Sequence, residues 1–183
     1  LDAVERIVTR SGFAGLGINA IAKEAGVSKV LIYRYFGNYE GLIETWATEN
    51  SYWATAGHDI NENGDAGETA VKLLSAHLSY LRSSPLRREI QRWLLLESTK
   101  TGKKVMSRIE KRGLELTRFF ADKNTPASKK DLEPVLALIT AGITHLALMA
   151  DRCDVYNGVP LNNEKGWKRL EKSIEQIVRF LTS

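Results

Sequence analysis

Lys29, Val30, Tyr33 and Arg34 are the residues whose types and spacing point most directly to chemistry. In a helix of 3.6 residues per turn these four share one outer face. Arg34 carries a planar fork of N–H donors that matches O6 and N7 of guanine. No acid occurs from Val27 to Phe36, so nothing local cancels Lys29 and Arg34. A short exposed helix of this composition suits the major groove of duplex DNA.

Such a face is useful only if a second helix holds it out, and the preceding residues have that layout. Ala22 is small where two helices must cross closely, and Gly26, four residues on, supplies the positive φ of a sharp turn. Val27 reads as a buried plug, and Ser28 as the cap of the next helix. Ile32 and Phe36 repeat at the i, i+4 spacing of an inner face. Seven constrained positions (Ile21, Ala22, Ala25, Gly26, Val27, Ser28 and Ile32) agree within a short stretch. An ordinary helical hairpin has no need of that agreement, so the pattern predicts a helix-turn-helix.

The remaining elements also read as helices. The first is predicted over Asp2 to Ser11, with Val4, Ile7 and Val8 inward, Gly12 as its stop and Phe13 packing beneath. The second runs from near Ile18 to Gly26 with a poor cap at Gly17, and the third from Ser28 to Phe36. Asn38 caps a fourth helix that carries Leu42, Ile43, Trp46, Ala47 and Trp53 on one side and runs into a glycine-rich loop over 56–67. Beyond it the patterns predict helices from about Thr69 to Arg82, Pro85 to Ser98, a long one ending near Asp122, Leu132 to Arg152, and Lys165 to Leu181. Gly102 reads as a break, and 154–164 as a loop. β signals are nearly absent. The class is therefore all-α: a three-helix helix-turn-helix head over 1–45, joined by helix four to a larger helical body over 46–183.

The 183 residues, 43% apolar and 26% charged, suit a globular chain. Cys153 is the one cysteine, which fits a reducing, cytoplasmic setting and a small buried hydrophobe. The chain begins at Leu1 inside a helical pattern, so earlier residues are expected to be missing. No signal peptide is visible, and the apolar run from Val135 to Ala150 falls short of a membrane span, so no membrane partner is expected. The net charge is +4, yet the first fifty residues hold five bases and six acids, a balance of 5 − 6 = −1. Positive charge in the head is thus local to one helix.

Trp167, Leu170, Ile174, Ile177 and Leu181 are spaced 3, 4, 3 and 4, the seam of helices packed nearly parallel. The helix over 132–152 is apolar round much of its surface. Together with Leu146, this seam predicts a two-fold dimer built from two helices of each chain. Trp53, His77, Tyr80, Trp93, Phe120, His145 and Met149 are candidates for lining a small-molecule pocket, with plain core packing as the competing reading. Leu73, Leu96 and Phe119 fall in the same stripe. His77 and His145 have no carboxylate at metal-ligand spacing, and neither a metal nor a cofactor is expected. From Arg82 to Lys123 there are twelve bases and five acids. Most of these form a solvated helix face, or else they attract an anionic effector or flanking DNA. No phosphate-cradling glycine loop, carboxylate pair or Cys/His set suggests an enzyme.

The stretch from Leu1 to Trp46 resembles the TetR family of one-component bacterial transcriptional repressors. The likeness rests on the opening Leu-Asp-Ala-Val, Gly12-Phe13, Ile21-Ala22 with Ala25-Gly26-Val27-Ser28, Ile32 to Phe36, and the Asn38 to Leu42 junction. Beyond this point only helix count, length and an apolar C-terminal pair agree. The resemblance implies a homodimer on a palindromic operator, with helix three of each head in the major groove and a small molecule in the body shifting helix four. Lys29, Val30, Tyr33 and Arg34 match positions that meet base edges or nearby phosphates, while Ser28 and Tyr35 match phosphate contacts. Leu31 and Gly17 stand where hydroxyl residues are common. Tyr39, also placed in the DNA-facing set, stands where a lysine is usual, and Gly37 loosens the preceding link. Each departure weakens the salt-dependent phosphate contribution. The reading from a different class is a helical protein-interaction module whose head no longer binds DNA, favoured by the near-neutral head.

Overall fold

Ala3, Val4, Ile7 and Val8 recur at helical spacing and form the buried side of α1 (Asp2–Ser11) in the computed structural model, which describes residues 1–56, 65–123 and 132–182. Gly12, at φ 64, ends α1, and its N–H returns to the carbonyl of Val8. A single 3-10 turn (Phe13–Gly15) leads to α2 (Ile18–Ala25), α3 (Lys29–Phe36) and α4 (Tyr39–Glu49). Here α4 is shorter than its pattern predicts. Asn50 closes it by donating both its backbone N–H and its side-chain amide to the carbonyl of Trp46, each at 3.0 Å. Trp53 therefore lies on a separate short helix, α5 (Tyr52–Thr55).

The helix α6 (Ala66–Arg82) begins three residues before its predicted start at Thr69. The carboxylate of Asp65 accepts the N–H of Glu68 at 2.7 Å, so the cap draws Ala66 and Gly67 into the first turn. Next come α7 (Pro85–Leu96) and α8 (Lys100–Lys123). The break between them falls at 97–99, and Gly102 sits inside α8. A Cβ at Gly102 would come 2.6 Å from Cγ of Glu97, so this glycine permits a close approach and does not interrupt the helix. The last elements are α9 (Leu132–Met149), a two-stranded antiparallel hairpin of β1 (Val155–Tyr156) and β2 (Val159–Pro160), and α10 (Glu164–Thr182). The hairpin replaces an expected loop. Its turn residues, Asn157 at φ 46 and Gly158 at φ 78, have the two positive φ values that a two-residue hairpin turn demands.

The chain divides into two units, Leu1–Thr55 with Ser84–Glu110, and Ala56–Ser83 with Lys111–Ser183. The first unit takes in more of the chain than the predicted head over 1–45, because α7 and the first part of α8 join it. Its core gathers Val4, Ile7, Ile21, Ile32, Ile43 and Trp46 with Ile90 and Val105. Phe13 stacks on Trp93, with ring centroids at 4.9 Å, and meets Trp46 edge-on at 5.9 Å. In the second unit α6 packs against α9 and α10. Leu74, Leu78 and Leu81 of α6 are buried there, as are Ile143 and Ala147 of α9 and Trp167, Ile174 and Val178 of α10. Arg82 ends α6 with its guanidinium 4.7 Å above the Trp167 ring and paired with Glu164 and Glu171 of α10. Gly166 lies against β2, where a Cβ would stand 1.6 Å from the Pro160 carbonyl oxygen.

Candidate functional site

Backbone chemistry at two junctions fixes α3. At the first, Gly26 has left-handed angles (φ 67, ψ 27). The N–H of Val27 donates to the Ala22 carbonyl at 3.1 Å and that of Gly26 to Lys23 at 3.3 Å, the paired bonds of a Schellman ending. The Ser28 hydroxyl then accepts the N–H of Leu31 at 3.2 Å and starts α3. At the second, Gly37 is at φ 78, and Asn38 Oδ1 accepts the N–H of Gly41 at 2.7 Å to start α4. Sequence reasoning missed Gly41 itself. A Cβ there would lie 2.2 Å from the Phe36 carbonyl oxygen, so α4 can approach the end of α3 only because this residue is glycine. Its signal was a glycine in the first turn of a helix, where few positions need one.

Ile32 is the inward residue of α3, and Leu31 and Phe36 are partly covered. Lys29 and Arg34 face outward with Val30 at 75% exposure, Tyr33 at 41% and Tyr35 at 72%. Tyr33 is the more covered of the two tyrosines, and they flank the buried stripe on opposite sides. The Arg34 guanidinium carbon lies 5.6 Å from the Tyr35 ring centroid. Val27 is exposed, a correction to its expected role as a plug. Its backbone N–H closes the turn while its side chain lines a shallow depression with Lys23, Ser28 and Val30. Tyr39 differs from the others, being half-buried against the head core. Burial, then Glu40 and Glu97, pushes its phenol up.

Two other bases of the head, Arg6 and Arg10, are engaged elsewhere. Arg6 Nε donates to Oε1 of Glu24 at 2.8 Å, and Arg10 Nη2 donates to Oε2 at 3.2 Å. These bonds hold the Glu24 carboxyl below the usual carboxylate range and tie α1 to the last turn of α2. The presumed pocket residues are divided. Trp93 belongs to the first unit, stacked on Phe13 with its indole N–H donated to Glu97 at 2.9 Å. Trp53 is also in the first unit, edge-on to Tyr52 at 4.9 Å. His77, Tyr80, His145 and Met149 are in the second unit, while the side chain of Phe120 lies outside the described residues. His77 is buried, and burial lowers its pKa to about 4, so the imidazole is neutral near pH 7. His145 is exposed and meets the Tyr156 ring edge-on at 5.2 Å.

Of the seam residues, Trp167 and Ile174 are buried within their own chain, and Leu146, Leu170 and Leu181 are partly covered. Ile177 is exposed, as are Phe180 on α10 and Leu138 on α9. The seam is thus an inner stripe in its first half and an outward one near its end. Among the described residues, no helix is long and apolar enough to cross a membrane.

Residues 1–45 match the family model described as bacterial regulatory proteins, tetR family. An HTH-type transcriptional regulator of Mycobacterium tuberculosis is 36% identical over 83 residues, covering 45% of this chain and 40% of that protein. The fatty acid metabolism regulator protein of Bacillus subtilis is 30% identical over 83 residues, 44% of this chain and 43% of its own length. The matches thus span about two fifths of these relatives. Among solved structures, a transcriptional regulator FadR from Bacillus subtilis in complex with stearoyl-CoA aligns at a TM-score of 0.71 and 20% identity, covering 100% of this chain and 95% of that one. The fatty acid degradation regulator FadR from Bacillus halodurans aligns at 0.70 and 20%, covering 97% and 94%. At that identity these two structures establish a shared fold and nothing finer. The head of this chain, residues 1–45, is thus similar to the helix-turn-helix of bacterial regulatory proteins of the tetR family.

Proposed function

We propose that this chain is a ligand-responsive transcriptional regulator, a repressor that holds a palindromic operator as a homodimer and is released by a small molecule. A DNA-reading head over 1–45 is joined to a ligand-binding and dimerisation body over 46–183. The observation that carries the reading is the outward face of α3, where Lys29, Val30, Tyr33 and Arg34 are exposed on a helix without an acid. Lys29 and Arg34 supply charge, Arg34 a fork for guanine, and Ser28 and Tyr35 hydroxyls for phosphates. Exposed Leu138, Ile177 and Phe180 favour a second copy covering α9 and α10. Two such heads engage both half-sites only when their recognition helices stand roughly 34–36 Å apart, so a small change in spacing costs affinity.

The relatives named as fatty-acid regulators, and the neighbour carrying stearoyl-CoA, make long-chain acyl thioesters the first effectors to test. Arg82 is paired with Glu164, and Lys104 and Arg108 with Glu44, so it is only the net excess from Arg82 to Lys123, twelve bases against five acids, that favours an anionic effector. Selection of bound duplexes from a random DNA pool, at two salt concentrations, tests the reading. A palindrome that is enriched, and lost in Arg34→Ala, is the expected result. Binding indifferent to salt and to Arg34→Ala, or no enrichment even at low salt, would instead favour a protein-interaction module.

A further inference from the structure

Ile32 marks the buried pole of α3, at 6% exposure. Helical residues are set about 100° apart round the axis, so Val30 and Arg34 stand about 20° to either side of the point opposite Ile32. Tyr33 is turned a quarter of the way back at 41% exposure, and Tyr35, nearer Ile32 in angle, stands to the other side at 72%. Val30 and Arg34 therefore reach deepest into whatever groove the helix enters. They are separated along the axis by about 6 Å, close to two steps of a duplex that rises ~3.4 Å per base pair.

Their chemistries differ in kind. The Arg34 fork, one face lying against Tyr35, presents its edge N–H groups to paired acceptors, and guanine is the base that offers two on one edge. Val30 has an isopropyl group and nothing that donates or accepts. The one apolar feature on a base edge of the major groove is the 5-methyl group of thymine. Any other base would bury Val30 against a polar edge and leave that edge dehydrated without a partner.

Resting on the reading of α3 as a DNA-reading helix, we propose that Val30 is a specificity-determining residue, seated in each half-site against a thymine 5-methyl within two base pairs of the guanine held by Arg34. The contact is apolar and contributes to sequence choice without adding to the phosphate charge count.

The test uses the full chain and the duplex that it selects from a random pool. Each thymine of a half-site is replaced singly by deoxyuridine, which removes only the methyl, and each guanine by 7-deazaguanine, which removes only N7. At one thymine, deoxyuridine is expected to weaken wild-type binding about fourfold, the worth of one buried methyl. Val30→Ala should bind the thymine and deoxyuridine duplexes alike. One guanine within two base pairs should lose about tenfold on 7-deaza substitution, a sensitivity absent from Arg34→Ala. A selected palindrome in which no deoxyuridine matters overturns the proposal while leaving DNA reading intact. The same holds if the methyl sensitivity survives in Val30→Ala, or lies farther from the guanine. Failure to select any duplex at low salt overturns both.

Discussion

Arg108 on α8 brings Nη2 to 2.7 Å from Oε1 of Glu44 on α4, and Lys104, one turn earlier, reaches the other carboxylate oxygen at 3.5 Å. Glu44 is well covered while its two partners are mostly exposed, so water screens the attraction from one side. A coupling of about 0.5–1 kcal/mol is expected. Urea unfolding of Glu44→Ala, Arg108→Ala and the double variant measures it. Single losses that simply add would mean that the pair does not help to anchor α4.

The junctions of α3 should be costly to alter. Ser28→Ala removes the acceptor for the Leu31 N–H and is expected to cost about 1 kcal/mol. Gly26→Ala forces a side chain into left-handed angles, at about 1–2 kcal/mol. Gly41→Ala should do something further. Its methyl meets the Phe36 carbonyl, so α3 must shift against α4 and operator affinity should fall beyond what the loss of stability explains. Thermal melting paired with operator titration separates the two effects.

Lys29 and Val30 are neighbours at the start of α3 with opposite expected signatures. Lys29→Ala should flatten the dependence of log affinity on log salt by about one phosphate's worth, a slope change of roughly 0.9. Val30→Ala should weaken binding and leave that slope as it was. Operator titrations over a salt series decide this, and equal slope changes in both variants would contradict the assignment.

His77 makes stability depend on pH. Its folded pKa of about 4 lies below the ordinary 6.5, so the unfolded chain binds the proton more readily. Above pH 6.5 both states are neutral and nothing is lost. As pH falls from 6.5 to 4 the unfolded state gains its proton first, and about 3 kcal/mol of stability should drain away. His77→Gln should flatten the melting temperature across that window, and an unchanged profile would show that another group titrates there.

Where structure follows from neighbours in sequence, the chain was readable. The turn at Gly26, the caps at Ser28 and Asn38, and the inward residues of α1 and α3 all depend on contacts within a few positions. Misreadings arose where a distant or non-repeating contact decides. Gly102 looked like a break because only the fold reveals Glu97 folded back upon it. Trp53 continued the spacing of α4, but the side chain of Asn50 ends that helix. Val27 carried an apolar label, yet the turn uses its backbone and leaves its side chain outside. The Asn157-Gly158 turn was read as plain loop, because strands of two residues offer no alternation to detect. The outward residues of α3 were legible because the helix is short and its buried pole is a single residue. The pocket residues were not, since a stripe of aromatic side chains looks the same whether it lines a cavity or fills one.

The Glu24 clamp has a consequence for how such a protein would search a genome. Sequence-blind attraction to duplex depends on the cations that are free to displace counterions. With Arg6 and Arg10 held against one carboxylate, the described head offers mainly Lys23, Lys29 and Arg34 at its outer face. Dwell time on random stretches should therefore be brief, and a matched site should stand out through base contacts made on top of a weak background. Few copies would be sequestered along the chromosome, and a larger share would be free to meet either the operator or the effector.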